Sequence, residues 1–580
     1  MTSRPSLREV LAYEPVPSRF GTSGVRALVK DLTDLEVYCL TVGTLRYLRS
    51  TDRLLCAPEP PPRIAIPVAG DLRPSTERLL QATARGIQDM GFGVDYVGHI
   101  PTPALTFYGI ENGVASFVIT GSHIPADRNG QKANRCDGEV LKSDEGGIVA
   151  EVQRVRDEEL ARPADESPFS AHGMFKEGQH PSLPAASPAA REGYAQRYRM
   201  VFAPDALRGL RVLFFQYTAV GRDLIPEILE QAGAEVIRAG RSNTFVPIDT
   251  EAISDSHLEL LSGLVREHHG QGPIDAVVST DGDSDRPLVV AVDGAGDGDP
   301  RLRFIPGDLL GIFVADYLGA DSVSVPISVS PAVHEYFAQR GLTTRKTRIG
   351  SPYVIQAMSE ALEQGHRRVV AWEANGGFLV GSDLSLERGM LRALPTRDAV
   401  LPILAVLHTA VRDGVRLSEL PGRLPQWFGR AHLLDDFPHE TSRRLLAYFA
   451  APRPGVEWVD FEADRIVLRD NAEQEVASWD RRHSEAQGWW NRKRLLEAVF
   501  SPKRGFGELR RLNLLDGIRC YFDNGDIAHV RPSGNAPQLR IYAHARTQAR
   551  ADAIARMGVA EPDGLLRRLQ ALIDSLSTEP

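Results

Sequence analysis

Asp281, Asp283 and Asp285 stand at alternate positions in "STDGDSDRP" (Ser279–Pro287), directly after the run "IDAVV" (Ile274–Val278). Like charges this close repel, and each disfavours ionisation of the next. A bound cation would offset that repulsion. The spacing is not that of an EF-hand, because the sixth position is Arg286 rather than Gly and the twelfth is Val292 rather than Glu. A hard, oxygen-seeking ion held by a few carboxylates plus phosphate oxygens fits better, which points to Mg2+. The plain alternative is a solvated turn, since Asp and Gly form turns readily. The later "DGAGDGDP" (Asp293–Pro300) is also acidic, but its repeated Gly reads as a hairpin loop.

Three further loops follow strand-like runs. "VITGSHIPADRNGQK" (Val118–Lys132) carries Ser122, His123 and Lys132. It has no GxSxG elbow and no obvious Asp–His relay, so a hydrolase triad is not indicated. "WEANGGFLVGSD" (Trp372–Asp383) places Glu373 and Asn375 beside paired Gly, apt for hydrogen bonds to sugar hydroxyls. "HVRPSGNAPQLRIY" (His529–Tyr542) gathers Arg531, Ser533, Gly534 and Asn535, with Arg540 returning on the next strand. An Arg fork, hydroxyl, amide and backbone N–H groups together make a phosphate cradle. The Asp run alone also permits a dehalogenase-type phosphatase, with Asp281 as phosphoryl acceptor and Asp283 as acid. That reading leaves Asp285 without a role.

These loops need rigid elements behind them. The 580 residues exceed one core, so two to four domains are expected. Strand-like runs such as "RIAIPVAG" (Arg63–Gly70) alternate with helix-like ones, arguing α/β domains. Thr33 and Glu36 fit a capping box, Ser75 and Ser351 fit helix N-caps, and Gly91 and Gly365 fit helix stops. Leu565, Leu569, Leu572 and Leu576 recur at helical spacing, as a packed face would. The Pro-, Ala- and Ser-rich Ala161–Ala190 reads as a linker or surface loop. The formal net charge of −9 argues against general nucleic-acid affinity. Cys39, Cys56, Cys136 and Cys520 form no CxxC, so neither a zinc site nor a disulfide framework is expected. No signal-peptide core or long apolar run stands out, so a cytoplasmic protein without membrane contact is expected.

Taken together and in order, the four loops resemble those of the α-D-phosphohexomutase family, which includes phosphoglucomutases, phosphomannomutases and phosphoglucosamine mutases. "FGTSGVRAL" (Phe20–Leu28), "VAGDLRPST" and "HIPTPAL" are similar to its first-domain motifs. "TGSHIPADRNGQK" resembles its phosphoserine loop, "DGDSDR" its metal loop, "EANGG" its sugar loop and "RPSGNAPQLRIY" its phosphate loop. The sugar loop departs from the commoner Glu-x-Ser-Gly-His type, with Asn375 at the Ser position and Gly377 at the His position. With "LRALPTRDAVLP" (Leu391–Pro402), this version resembles bacterial phosphomannomutases.

The resemblance implies an α/β fold of four domains, three similar mixed α/β domains and a C-terminal α+β domain around a central cleft. The expected boundaries are 1–185, 186–298, 299–415 and 416–580. It implies interconversion of hexose 6-phosphate and hexose 1-phosphate, mannose first, through phosphoserine at Ser122 and a hexose 1,6-bisphosphate, which also acts as activator. Asp281, Asp283, Asp285 and the Ser122 phosphate would hold Mg2+. Lys132 and Arg26 would manage proton transfer with His123 close by; Arg286, Glu373 and Asn375 would contact substrate. Arg531, Ser533, Gly534, Asn535 and Arg540 would grip the phosphate that is not reacting. The partners implied are small phosphosugars. Glucose or glucosamine substrates, the phosphatase and a non-catalytic sugar-phosphate-binding regulator stand as alternatives.

Overall fold

The computed structural model describes residues 4–16, 20–21, 24–57, 64–251, 253–270, 272–294, 300–532 and 537–575. They form two compact units: Met1–Ser322 with Gly350–Pro421, and Val323–Ile349 with Gly422–Pro580.

In the first unit one strand pattern recurs. The first sheet runs Val25–Leu28, Arg128–Arg135, Ser116–Ile119, Ala65–Gly70 and Gly93–Tyr96, with Gly138–Glu139 beside Arg128–Arg135. The second runs Arg301–Phe304, Pro287–Asp293, Ala276–Thr280, Arg211–Tyr217 and Glu235–Arg241 in the equivalent order. In each, three strands are parallel and the third turns back through a loop into an antiparallel strand. The Ser122 loop and the Asp281 loop occupy that same reversal point. Trp372 and Phe378 pair antiparallel across the Glu373–Gly377 loop, which is a third reversal of the same kind. Such switch points leave an open crevice at strand ends, where ligands bind. Ala276–Thr280 is buried throughout, so its apolar run is continuous rather than alternating. The acidic Asp293–Pro300 stretch joins two antiparallel strands, as a hairpin should, although 295–299 lie outside the described residues.

Local signals place the helices. Thr33 Oγ1 accepts the Glu36 N–H at 3.3 Å and starts Asp34–Ser50. Glu36 itself pairs with Arg156 inside the core instead of closing the box. Ser75 precedes Thr76–Asp89, and Gly91 follows with φ +83°. The later helix begins at Ser351, so Gly350 is its N-cap and not Ser351; the Ser351 hydroxyl is spent on Glu139 at 2.6 Å.

Two expectations need correction. Ala161–Ala190 is not simply a solvated linker: Phe169 and Phe175 are buried in the first core, and the Phe175 N–H donates to Asp34 at 2.9 Å. Cys56 and Cys136 form a disulfide, with Cα atoms 5.6 Å apart and a separation of 80 positions in sequence. Spacing in sequence could not show this, because a turn and a strand end bring the two together only in the folded sheet.

The second unit is built on an eight-stranded antiparallel sheet. One face carries Leu512, Cys520, Ala528, Val530, Ile541 and Ala543 against the helices Ser484–Val499, Gln548–Val559 and Leu565–Ser575. Leu565 and Leu569 are buried there and Leu572 packs alongside, as the helical spacing requires; Leu576 lies outside the described residues. The opposite face is polar but also buried, with Arg519, His529 and Tyr542 in cross-strand register. Arg519 donates to the Ile327 carbonyl at 2.6 Å, and Lys346 pairs with Glu473 at 2.8 Å, so residues 323–349 pack in this unit. Among the described residues no helix is long and apolar enough to cross a membrane.

Candidate active site

Ser122 sits at the strand reversal after Ser116–Ile119 with φ +55° and no exposed surface. Its Oγ donates to Asp281 Oδ2 at 2.6 Å. The aspartate loop meets it backbone to backbone: a Cβ on Gly282 would lie 2.6 Å from the Ser122 carbonyl oxygen, so only Gly fits that contact. Asp281 Oδ1 accepts the N–H groups of Asp285 and Arg286 at 3.2 Å each, which folds the loop around its first carboxylate.

The three aspartates are buried, and one carboxylate oxygen of each lies within 4.8 Å of the others. Asp283 Oδ2 accepts from Lys132 at 2.6 Å and Thr102 at 2.9 Å. Asp285 Oδ2 accepts from Lys132 at 3.1 Å and from Arg397 Nε at 3.0 Å. Their other oxygens, Asp283 Oδ1 and Asp285 Oδ1, are buried and have no hydrogen-bond partner among the described residues. Buried carboxylate oxygens rarely go unpaired. Three hard oxygen donors converging with two unused valences fit a divalent cation. Burial pushes the Asp281 carboxyl well up, and Asp283 and Asp285 add to that push. Burial is also the largest single push on Asp283 and Asp285, but the groups opposing it, led by Lys132 at the former and Arg397 at the latter, together hold both below the usual carboxylate range.

Four cations face the four carboxylates of this region. Lys132, Arg26, Arg286 and Arg397 stand against Asp281, Asp283, Asp285 and Glu373. Arg26 is half-buried, and its Nε has no partner among the described residues; burial first, and then the Arg286 cation, push it down to about 10. The Arg286 Nη1 donates to His123 Nδ1 at 3.0 Å, so that nitrogen carries a lone pair. Burial, then Arg286 and Arg26, keep His123 neutral. Ser122 Oγ is 3.2 Å from the same Nδ1, whose lone pair Arg286 already occupies. The serine proton therefore points to Asp281.

Glu373 and Asn375 lie at the reversal after Val369–Trp372. Glu373 Oε2 accepts from Arg397 Nη1 at 2.9 Å. Asn375 Oδ1 accepts the Gly377 N–H at 3.0 Å, so its carbonyl oxygen shapes the turn and its amide nitrogen is the group left for a ligand. In the C-terminal unit Arg531 and Arg540 are cross-strand neighbours, and Arg531 pairs with Asp516 at 3.0 Å. Ser533, Gly534 and Asn535 lie outside the described residues.

Sequence reasoning missed several positioning residues. Arg73 is buried and donates to the carbonyls of Ser122 (3.0 Å), Pro125 (2.6 Å), Ile124 and Arg128 (2.9 Å), clamping the serine loop; Asp71 orients it and Phe245 covers it at 4.2 Å. Thr102 and Arg397 were equally unmarked. All lie inside stretches quoted above, but an Arg or Thr in such a stretch carries no signal of which loop it will hold.

Four family models match this chain in order. Those described as "Phosphoglucomutase/phosphomannomutase, alpha/beta/alpha" domains I, II and III match 17–159, 192–294 and 306–428, and the "C-terminal domain" of the same name matches 492–560. The chain belongs to the phosphoglucomutase/phosphomannomutase family. Its fold is therefore the mixed α/β multidomain fold of that family, and it is a phosphohexomutase, an isomerase. It is 34% identical to a phosphomannomutase of Sinorhizobium fredii over 93% of this chain and 98% of that protein. It is 32% identical to one from Salmonella muenchen over 91% and 92% of the two. The solved phosphoglucomutase/phosphomannomutase family protein of Burkholderia thailandensis shares the fold at TM-score 0.61 and 17% identity, covering 96% of this chain and 98% of that one. As a member of this family the chain carries an unmatched stretch between 428 and 492. There the strands Trp458–Phe461, Arg465–Arg469 and Glu475–Asp480 extend the C-terminal sheet.

Proposed function

We propose that this phosphohexomutase interconverts mannose 6-phosphate and mannose 1-phosphate in the cytoplasm, through a phosphate ester on Ser122 and a hexose 1,6-bisphosphate that also primes the enzyme. The observation that carries this reading is the 2.6 Å hydrogen bond from Ser122 Oγ to Asp281, inside an aspartate trio with two orphaned oxygens. The mannose preference is supported by the two phosphomannomutase relatives and by the "EANGG" and "TRDAVLP" stretches.

Charge balance supports the chemistry. Four carboxylates already meet four cations. A phosphoserine adds a charge of about −2 and a divalent cation returns +2, so the two enter together without upsetting the balance. Mg2+ at Asp281, Asp283, Asp285 and the Ser122 phosphate would stabilise charge on the transferring phosphoryl. The Ser122 O–P bond breaks as the bond from phosphorus to the sugar oxygen forms. The sugar hydroxyl proton passes by way of Lys132 and Arg26 to the departing Ser122 oxygen, with His123 as a neutral neighbour. A depressed Arg26 suits that passage better than an ordinary guanidinium. The bisphosphate then turns and returns its other phosphoryl to Ser122. Glu373 and the Asn375 amide read sugar hydroxyls, and Arg286 contacts the phosphoryl. Arg531, Ser533, Gly534, Asn535 and Arg540 bind the remote phosphate, where binding energy orients the reacting end.

The test is to treat the purified protein with mannose 1,6-bisphosphate, then measure intact mass and map the peptide. One phosphoryl group on Ser122 is expected, together with turnover of mannose phosphates above glucose and glucosamine phosphates. Phosphate on Asp281 would instead establish the phosphatase reading, and glucosamine phosphate as the best substrate would overturn the mannose assignment.

A further inference from the structure

The strand Leu394–Asp398 runs antiparallel beside Phe378–Val380, with Phe378 opposite Asp398. This register lays the Arg397 side chain across the end of the sugar loop. A Cβ built on Gly377 would lie 2.7 Å from Cγ and Cδ of Arg397 and 2.8 Å from its Cβ. These are carbons of the arginine's stem, close to its backbone, and they have little freedom to yield. Gly377 is therefore the residue that admits Arg397. A histidine at 377, as in the commoner sugar loop, excludes an arginine placed this way.

The guanidinium that enters does two things at once. Nη1 donates to Glu373 Oε2 at 2.9 Å, while Nε and Nη2 donate to Asp285 Oδ2 at 3.0 and 2.9 Å. The side chain is 2% exposed. Its neighbours hold it from both sides: Thr396 donates to Glu139 at 2.6 Å, and Asp398 accepts from Tyr194 at 2.6 Å. Arg397 occupies only Oδ2 of Asp285, which leaves Oδ1 as the orphaned oxygen that faces the aspartate trio. One rigid, planar cation thus touches a carboxylate of the metal loop and a carboxylate of the sugar loop. A lysine ammonium has no comparable fork and cannot hold both in fixed planes.

We propose that Arg397 is a positioning residue that couples cation binding at the aspartate trio to sugar-phosphate recognition at Glu373, and that Gly377 is its obligate partner. The inference rests on the proposed function. A divalent cation on Asp285 Oδ1 fixes that carboxylate, the carboxylate fixes the guanidinium, and the guanidinium fixes Glu373 in the plane that accepts sugar hydroxyls. Linkage makes the effect reciprocal: each ligand tightens the other by the same factor.

The test is calorimetric titration of the full-length, dephosphorylated protein with Mg2+ and with mannose 6-phosphate, each alone and each in the presence of the other. In the wild type each ligand should tighten the other about tenfold. In Arg397→Lys, Arg397→Gln and Gly377→Ala the two binary affinities should move by only a few-fold, while the coupling falls below about twofold. Thermal melting confirms that each variant is folded, and a general loosening of structure would weaken the binary affinities rather than the coupling alone. Absence of coupling in the wild type overturns the proposal, as does full coupling in any folded variant. Wild-type protein that binds both ligands with coupling yet shows no mutase turnover after priming with mannose 1,6-bisphosphate counts against the proposed function and leaves this inference standing. Turnover with unchanged coupling in the variants counts against Arg397 alone.

Discussion

Around Ser122 the protein buries full charges; on the polar face of the C-terminal sheet it buries imidazoles that stay neutral around Arg519. The first region sets Asp281, Asp283, Asp285 and Glu373 against Lys132, Arg26, Arg286 and Arg397, and still leaves two carboxylate oxygens unpaired. The second holds His334, His529 and His544, whose His334 Nε2, His529 Nδ1 and His544 Nδ1 are buried without partners among the described residues. Burial drives all three histidines down, with Arg519 adding to the effect, and His529 falls to about 3. Isolated buried charge is expensive, and a titratable group escapes by neutralising. The histidines take that escape. Asp283 and Asp285 keep their charge because cations surround them, and their spare oxygens suit a further ion, which would also offset the upward push on Asp281. Buried polarity thus marks a ligand site only where the groups stay ionised and incompletely paired.

The comparison can be broken most sharply at Asp281. Asp281→Asn should reduce mutase turnover by about 10^3-fold, since it removes both a cation ligand and the Ser122 acceptor. The same substitution should leave the metal-free melting temperature unchanged or raised, because it relieves the repulsion that pushes this carboxyl upward. A large loss of stability would place Asp281 among purely structural groups. On the other side, Arg519→Met should destabilise the C-terminal unit by about 3 kcal/mol, since the Ile327 carbonyl loses a charged donor in a buried setting. Urea denaturation followed by tryptophan fluorescence reads this directly.

Arg73→Lys sharpens the contrast from within the active region. It keeps the charge but loses the fork that clamps four carbonyls, so turnover should drop about tenfold while Mg2+ affinity stays close to wild type. Acidification gives the smallest effect and the cleanest sign. A histidine near 3 in the fold and about 6.5 unfolded binds more protons when unfolded between those values. Its stabilisation is complete above pH of about 6.5 and is lost as pH falls toward 3, at up to about 1.4 kcal/mol per pH unit. Lys346 and Arg519 face His334, and Arg519, Arg531 and the Asp516 carbonyl face His529, so no carboxylate among these reverses the sign. Protection of the amides in the strands Ile518–Phe522 and Ile527–Pro532, measured against the intrinsic exchange rate at each pH, should fall from pH 7 to pH 5. Unchanged protection there would show that protons do not drive unfolding of this face.

Much of the chemistry was legible before folding. The alternate aspartates do converge on a buried cluster that could hold a metal ion, the apolar run Ile274–Val278 marked the strand Ala276–Thr280 ahead of its loop, and Arg531 with Arg540 fell on paired strands as read. The shift from Ser351 to Gly350 at a helix start, and the Cys56–Cys136 bond, were not legible, because each depends on a partner far along the chain. Ser351 is drawn to Glu139, which is 212 residues away.

Sequence alone determined which side chains could do chemistry here, since residue type and short spacing set charge, nucleophilicity and the strand–loop rhythm. Tertiary structure alone decided which of them meet: Ser122 with Asp281, Lys132 with two carboxylates, Arg397 with Asp285 and Glu373. The physical reason is range. Backbone preference and period act over a few residues, whereas the pairing of buried charges is set by packing that joins positions from 24 to 159 residues apart.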